Sequence, residues 1–170
     1  MRIISVVPYN PVWPELFEKE KTSLESVFGN TVAWHHIGST SVAGLAAKPV
    51  IDILGEANDL EKIDSYNTLM AGTGYVAMGE YGMAHRRFFY RDVNGERTHH
   101  LHIFPRAHDE VHRHLRFRDY LRAHPEDAAA YGQLKLKLAA LHAQDPEAYI
   151  AGKDPMIRLL ERKALQEGNP

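Results

Sequence analysis

The sequence predicts an α+β fold, a mixed β-sheet with packed helices and a C-terminal helical segment. Three observations carry that expectation. The hydrophobic patterns run helix, strand, short helix, strand, helix, three strands and then three helices. Residues 50–54 read Val-Ile-Asp-Ile-Leu, an apolar run suited to a strand covered on both faces. An Asn94-Gly95 pair separates two β-rich runs, which is a strong hairpin signal. No repeat period or composition break divides the chain. Residues 1–165 therefore read as one domain, and the polar end 166–170 is expected to fray.

The elements follow in order. From Pro14 to Phe28 the residues Leu16, Phe17, Leu24, Val27 and Phe28, with Glu20 among them, mark one helical face. Pro14 suits the first turn of that helix, and Gly29 stops it. Thr31 to Ile37 reads as a strand ending at Gly38-Ser39-Thr40, whose hydroxyls suit a helix cap. The helix opened there must end by Ala47, because Pro49 drives Lys48 toward extended geometry. After strand 50–54, an amphipathic helix is expected over 59–71 and a short strand near 75–78. Strands 86–91 and 97–104 flank the hairpin turn, and helices follow over 111–122, 128–143 and 155–166.

Composition narrows the chemistry. The chain has 170 residues with 44% hydrophobic and 25% charged, enough to bury a core without covalent staples. It has no cysteine, which excludes disulfides, thiolate zinc sites, iron–sulfur clusters and thiol nucleophiles. A net charge of −2 provides no overall basic field, so nucleic acid is not the default partner, although a local basic patch is compatible with it. No window has the apolar length of a signal peptide or a membrane span, and a cytoplasmic location is expected.

The densest chemistry lies in His36-Ile37-Gly38-Ser39-Thr40-Ser41 and in Lys48-Pro49-Val50-Ile51-Asp52. Gly38 allows close backbone approach, Ser39 and Thr40 offer hydroxyls, and the amides that open the following short helix suit an anion. Phosphate is the natural guest. Asp52 is a lone carboxylate in an apolar strand, costly to desolvate unless a cation meets it. A divalent metal between Asp52 and the phosphate is the expectation that follows. His36 is expected to support the turn. His108, His112 and His114 are read as part of an exposed helix, and Trp13, Trp34, Phe88, Phe89, Phe104 and Phe117 as core.

The run His-Ile-Gly-Ser-Thr-Ser-Val-x-Gly-Leu-x-Ala-Lys-Pro-x-Ile-Asp-Ile over 36–53 resembles the GrpB family, small bacterial proteins with a nucleotidyltransferase-like fold. His100-Leu101-His102, the block 117–122, Tyr131-Gly132-Gln133-Leu134-Lys135, and Tyr149 with Lys153 extend the resemblance over nearly the whole chain. It implies the fold of the DNA polymerase β superfamily. Gly38-Ser39 would then be its phosphate-contacting pair and Asp52 its first metal-binding carboxylate. Nucleotidyltransferases usually carry a second acid two residues on, where this chain has Leu54.

In a strand, His100 and His102 project to one face and His99 to the other, so the first two can join Asp52 around one ion. Asp with two His suits manganese, zinc or iron better than magnesium. Magnesium or manganese is the cofactor the family implies, with zinc as the alternative. Lys48, Arg118 and Lys135, with Arg87 as a weaker candidate, are expected phosphate contacts. The expectation is a metal-dependent transferase moving a nucleoside monophosphate from a triphosphate to an acceptor. Its rival is a non-catalytic phosphate-binding module that lost the second acid. Fusion of the same module to dephospho-coenzyme A kinase in some bacteria implies a link to coenzyme A synthesis.

Overall fold

The computed structural model describes residues 3–168. Five strands form one sheet in the order β1-β2-β5-β4-β3: β1 (Val32–Ile37), β2 (Ile51–Ala57), β3 (Tyr75–Ala77), β4 (Arg87–Val93) and β5 (Glu96–Pro105). The central pair β2–β5 is parallel and the other pairs are antiparallel, so the expected α+β fold with a mixed sheet holds. Asn94 and Gly95 both adopt positive φ, as a tight β4–β5 hairpin requires.

Helix α1 (Trp13–Phe28) covers one sheet face. Its buried residues, Trp13, Phe17, Glu20, Leu24 and Phe28, recur every three or four positions and meet Ile51, Ile53, Leu101 and Ile103 from the central strands. Leu16 lies off that stripe and is exposed. The helix expected over 59–71 is two, α2 (Leu60–Asp64) and α3 (Asn67–Gly72). The Ser65 hydroxyl donates back to Lys62 O, which closes α2, and the break lets Tyr66 pack against Phe28. Strand β2 runs three residues past Leu54, where Gly55 lies beneath Trp34: a Cβ there would stand 2.7 Å from that ring.

Three helices, α4 (Asp109–Ala123), α5 (Pro125–Leu141) and α6 (Pro146–Glu167), follow the sheet. They enclose a second apolar cluster that includes Val42, Leu45, Tyr120, Leu121, Tyr131 and Leu160. The expected start of the last helix at Pro155 is corrected, since α6 begins at Pro146 and carries Pro155 within it. Asp145 caps α6 by accepting from Ala148 N, and Pro146 occupies its first turn. Of the end expected to fray, Gln166 and Glu167 form the last turn of α6, and 169–170 lie outside the described residues. No described helix is long and apolar enough to cross a membrane.

Candidate functional site

Strand parity sorts the side chains. Asp52 pairs with Ile37 and His100, and Leu54 with His102, so these residues share the sheet face opposite α1. Asp52 Oδ1 lies 3.0 Å from His100 Nδ1 and 4.0 Å from His102 Nε2. Burial pulls the Asp52 carboxyl upward, but the His100 hydrogen bond and the nearby imidazoles of His100, His102 and His114 hold it below its ordinary value. Burial lowers His102 to about 3, which keeps its ring neutral with a lone pair to share. Leu54 is fully buried among Ile37, Phe104 and Val111, so the position of a usual second acid is apolar core.

Strand β1 ends at Gly38, which holds φ 70°, and a 3-10 turn (Ser39–Ser41) follows. A Cβ on Gly38 would stand 2.7 Å from Asp52 Oδ2, so glycine is required by both backbone and contact. The expected hydroxyl capping is absent from this turn. Instead Ser41 Oγ donates to Gly38 O at 2.5 Å and Thr40 Oγ1 to Val50 O at 3.3 Å, with His36 Nε2 3.0 Å from the same Thr40 oxygen. Thr40 is almost wholly buried and its hydroxyl bonds within the fold, while the residue also borders the cleft that Asp52 lines. His36 sits on the α1 side, stacked on Phe17, and steadies the turn through Thr40.

Ser39 faces the other way. Its hydroxyl accepts from Lys135 Nζ at 2.7 Å, inside a cleft of about 140 Å³ also lined by Lys48, Asp52, His100, Tyr131, Tyr149 and Lys153. Lys48 and Lys153 lie 4.6 and 4.5 Å from the Tyr149 ring centre, and Lys135 lies 4.6 Å from that of Tyr131. Burial depresses Lys135 to about 7, helped by the neighbouring Lys153 and Lys48. Burial likewise depresses Lys153 to about 8, and it lowers Lys48 against the pull of Asp52. Three crowded ammonium groups with one carboxylate form an anion trap.

Two expected phosphate contacts fall elsewhere. Arg87 alternates onto the α1 side of the sheet and forms a two-pronged pair with Asp64 at 2.6 and 2.8 Å. Arg118 pairs with Asp119 at 2.7 Å and donates to His36 O at 3.2 Å, and it does not line the cleft. With Arg122, which donates to Ser41 O at 2.9 Å, it clamps both ends of the Gly38 turn to α4. His114, expected on an exposed helix, is half-buried with its ring 5.9 Å from that of His102. His108 caps α4 by accepting from Glu110 N and stacks on Phe104.

Tyr131, Tyr149 and Lys153 were not singled out as contacts by sequence reasoning. The signal was present as Tyr-x-x-x-Lys, which occurs at 131–135 and again at 149–153 and places each phenol beside an ammonium on one helical face.

The donor set of Asp52, His100 and His102 fits a cation. One ligand atom from each lies within 4.8 Å of the others, and donors bound at about 2.1 Å to a shared ion stand roughly 3.4 Å apart. An imidazole pair with a carboxylate suits manganese, zinc or iron, whereas magnesium prefers an all-oxygen set.

Known proteins place this geometry. The chain is 44% identical over 164 residues to the UPF0157 protein YqkA of Bacillus subtilis, covering 96% of this chain and 48% of that one. It therefore spans about half the length of that relative. A dephospho-CoA kinase of Mycolicibacterium paratuberculosis is 26% identical, with 95% of this chain on 46% of that protein. The crystal structure of GrpB from Enterococcus faecalis superposes with a TM-score of 0.91 at 40% identity, covering 96% and 98% of the two chains. The Cid1 poly(U) polymerase shares the fold at a TM-score of 0.53 and 13% identity, over 81% of this chain and 45% of that one. The family described as GrpB protein matches residues 3–163. The chain belongs to the GrpB family and has its nucleotidyltransferase-like fold.

Proposed function

We propose that the cleft binds the phosphate chain of a nucleoside triphosphate beside a divalent cation, and that the protein transfers the nucleoside monophosphate to an acceptor. The observation that carries this reading is the convergence of Ser39, three lysines, Asp52 and His100 on one cleft, with His102 beside them to complete the donor set. A cation held there, manganese or magnesium with zinc as the alternative, would supply Lewis-acid polarisation and charge neutralisation. The chain's own residues do the rest. Lys48, Lys135 and Lys153 bind and orient phosphate oxygens and offset the charge that grows on the leaving pyrophosphate. Gly38 brings the backbone close, Ser39 offers a hydroxyl, and Arg118 and Arg122 fix the turn that carries both. A cytoplasmic setting, where nucleotides are abundant, suits this reading.

One observation favours a second reading. Leu54 is sealed in the core, so a two-acid metal site cannot be completed from β2 without rebuilding it. The same cleft would then serve a regulatory module that binds a phosphate-bearing ligand without turnover. Similarity to a dephospho-CoA kinase makes coenzyme A or its dephospho precursor the ligand to try.

A thermal-shift series separates the two, because a ligand that binds the folded state raises the melting temperature. Nucleoside triphosphates, coenzyme A and dephospho-coenzyme A are each tested with magnesium, manganese, zinc or chelator. Transfer requires a metal-dependent shift with a triphosphate, its loss in Asp52→Asn, and pyrophosphate release when an acceptor is supplied. A shift with coenzyme A that chelator leaves intact moves the protein to the binding module. An Asp52→Asn variant that matches wild type in every metal would remove Asp52 from the site.

A further inference from the structure

A second site lies outside the cleft. Helices α4 and α6 flank a groove of about 460 Å³ lined by Arg113, Arg116, Arg158 and Arg162, with Phe117 and Leu165 on its apolar wall. Its volume is that of a ligand pocket, about three times that of the cleft. The arginines come as like-charged neighbours, three apart on α4 and four apart on α6. Such spacing disfavours each helix and needs a reason, above all in a chain whose acids outnumber its bases by 22 to 20.

The internal acids do not neutralise the groove. Glu161 is the acid that lines it, and Arg113 takes that carboxylate at 2.6 Å together with Glu110 at 2.7 Å. Arg158 pairs along its own helix with Asp154. Arg116 and Arg162 are exposed and make no ion pair with any described residue. Leu165 is 52% exposed beside them. Flat guanidinium groups over an apolar wall suit an anion with a planar body, because arginine forks phosphate oxygens and also stacks on rings.

The groove also has a position relative to the cleft. Phe117 lines the groove and Tyr131 lines the cleft, and their rings meet edge to face at 6.3 Å. One aromatic pair separates the two sites.

We propose that the groove between α4 and α6 binds a nucleotide unit, free or at the end of a single-stranded oligonucleotide, through Arg116 and Arg162. Its role as the acceptor site rests on the transfer reading above, whereas the binding itself does not, because it needs neither the cation set nor the cleft lysines.

The test titrates the full chain with AMP, and separately with a short single-stranded oligoadenylate, by calorimetry at low salt in excess EDTA. Binding is expected in wild type and unchanged in Lys137→Gln, an exposed lysine of α5 that lines neither site. It should weaken about tenfold or more in the Arg116→Glu/Arg162→Glu variant, with the milder Arg116→Gln/Arg162→Gln variant intermediate. Tighter binding of the oligonucleotide identifies a chain end as the natural guest, and equal affinity identifies the free nucleotide. Absence of binding in wild type, arginine variants that bind as wild type does, or a loss in Lys137→Gln as large as theirs, overturns the proposal. The transfer reading fails separately, through the metal-dependent shifts and Asp52→Asn.

Discussion

Gly38 is the residue on which the cleft turns. Its positive φ and the 2.7 Å approach of Asp52 Oδ2 to any added Cβ mean that alanine must displace the carboxylate or bend the turn. Gly38→Ala is expected to cost about 1–3 kcal/mol from backbone strain alone. The larger effect should fall on ligand affinity, since Asp52 and Ser39 both move. Denaturant unfolding set beside the thermal-shift response to a triphosphate checks this, and an alanine variant with wild-type ligand response would release Gly38 from the role. Gly38 and Asp52 were legible in the sequence because each violates its surroundings, a flexible residue after an apolar strand and an acid within one. His100 and His102 were legible from strand parity. Lys153, Tyr131 and Tyr149 were not, because a lysine or tyrosine on a polar helix looks the same whether water or a cleft faces it. Only the packing of α5 against α6 brings the two Tyr–Lys pairs together. Thr40 was legible as a residue of the cleft, but its bond to Val50 O follows from packing that the sequence does not display.

At the level of elements, α1 is held to the sheet by more than its apolar stripe. Glu20, 6% exposed, accepts two hydrogen bonds from Arg91 at 2.9 and 2.6 Å and one from Tyr75 at 3.0 Å. Removing the carboxylate leaves the Arg91 charge half-buried and unpaired, so Glu20→Ala should destabilise the fold by about 3–5 kcal/mol. Glu20→Gln, which keeps one acceptor, should cost less. Urea unfolding monitored by tryptophan fluorescence reads both variants, and a Glu20→Ala loss under about 1 kcal/mol would reduce the network to an ordinary surface pair. Element type and order were readable throughout, because the periods of β1, β2 and the β4–β5 hairpin differ sharply from those of the helices. Boundaries were less so. Pro155 looked like a helix start, but α6 carries it in mid-helix at an exposed position, with the capped start nine residues earlier at Pro146. The break between α2 and α3 was hidden for a related reason, since it is set by Tyr66 reaching Phe28 across the fold. Arg87 was misassigned by one position of strand parity, which turns a side chain to the opposite face.

For the molecule as a whole, the cleft imposes a cost that its ligand relieves. Lys135 near 7 and Lys153 near 8 titrate far below the roughly 10.4 of a lysine in the unfolded chain. Between about pH 7 and pH 10 the unfolded chain therefore binds more protons than the folded one, and the stability of the ligand-free protein rises with pH. Below about pH 7 both ammonium groups are charged in the crowded cleft and the full penalty applies. His36 and His99 are lowered to about 4 and His102 to about 3, so their contributions add to the rise with pH below about 6.5 and leave the window above pH 7 to the lysines. A bound phosphate chain inverts the balance, because it favours the charged lysines. Phosphate or triphosphate should accordingly raise the melting temperature more at about pH 6 than at about pH 9, while the ligand-free protein melts higher at the alkaline end. The Lys135→Met/Lys153→Met variant should flatten both trends together, since the same two protons drive them. A ligand-free melting temperature that falls between about pH 7 and pH 9, or a double variant that keeps the wild-type slope, would show that these lysines are not held in competition inside the cleft.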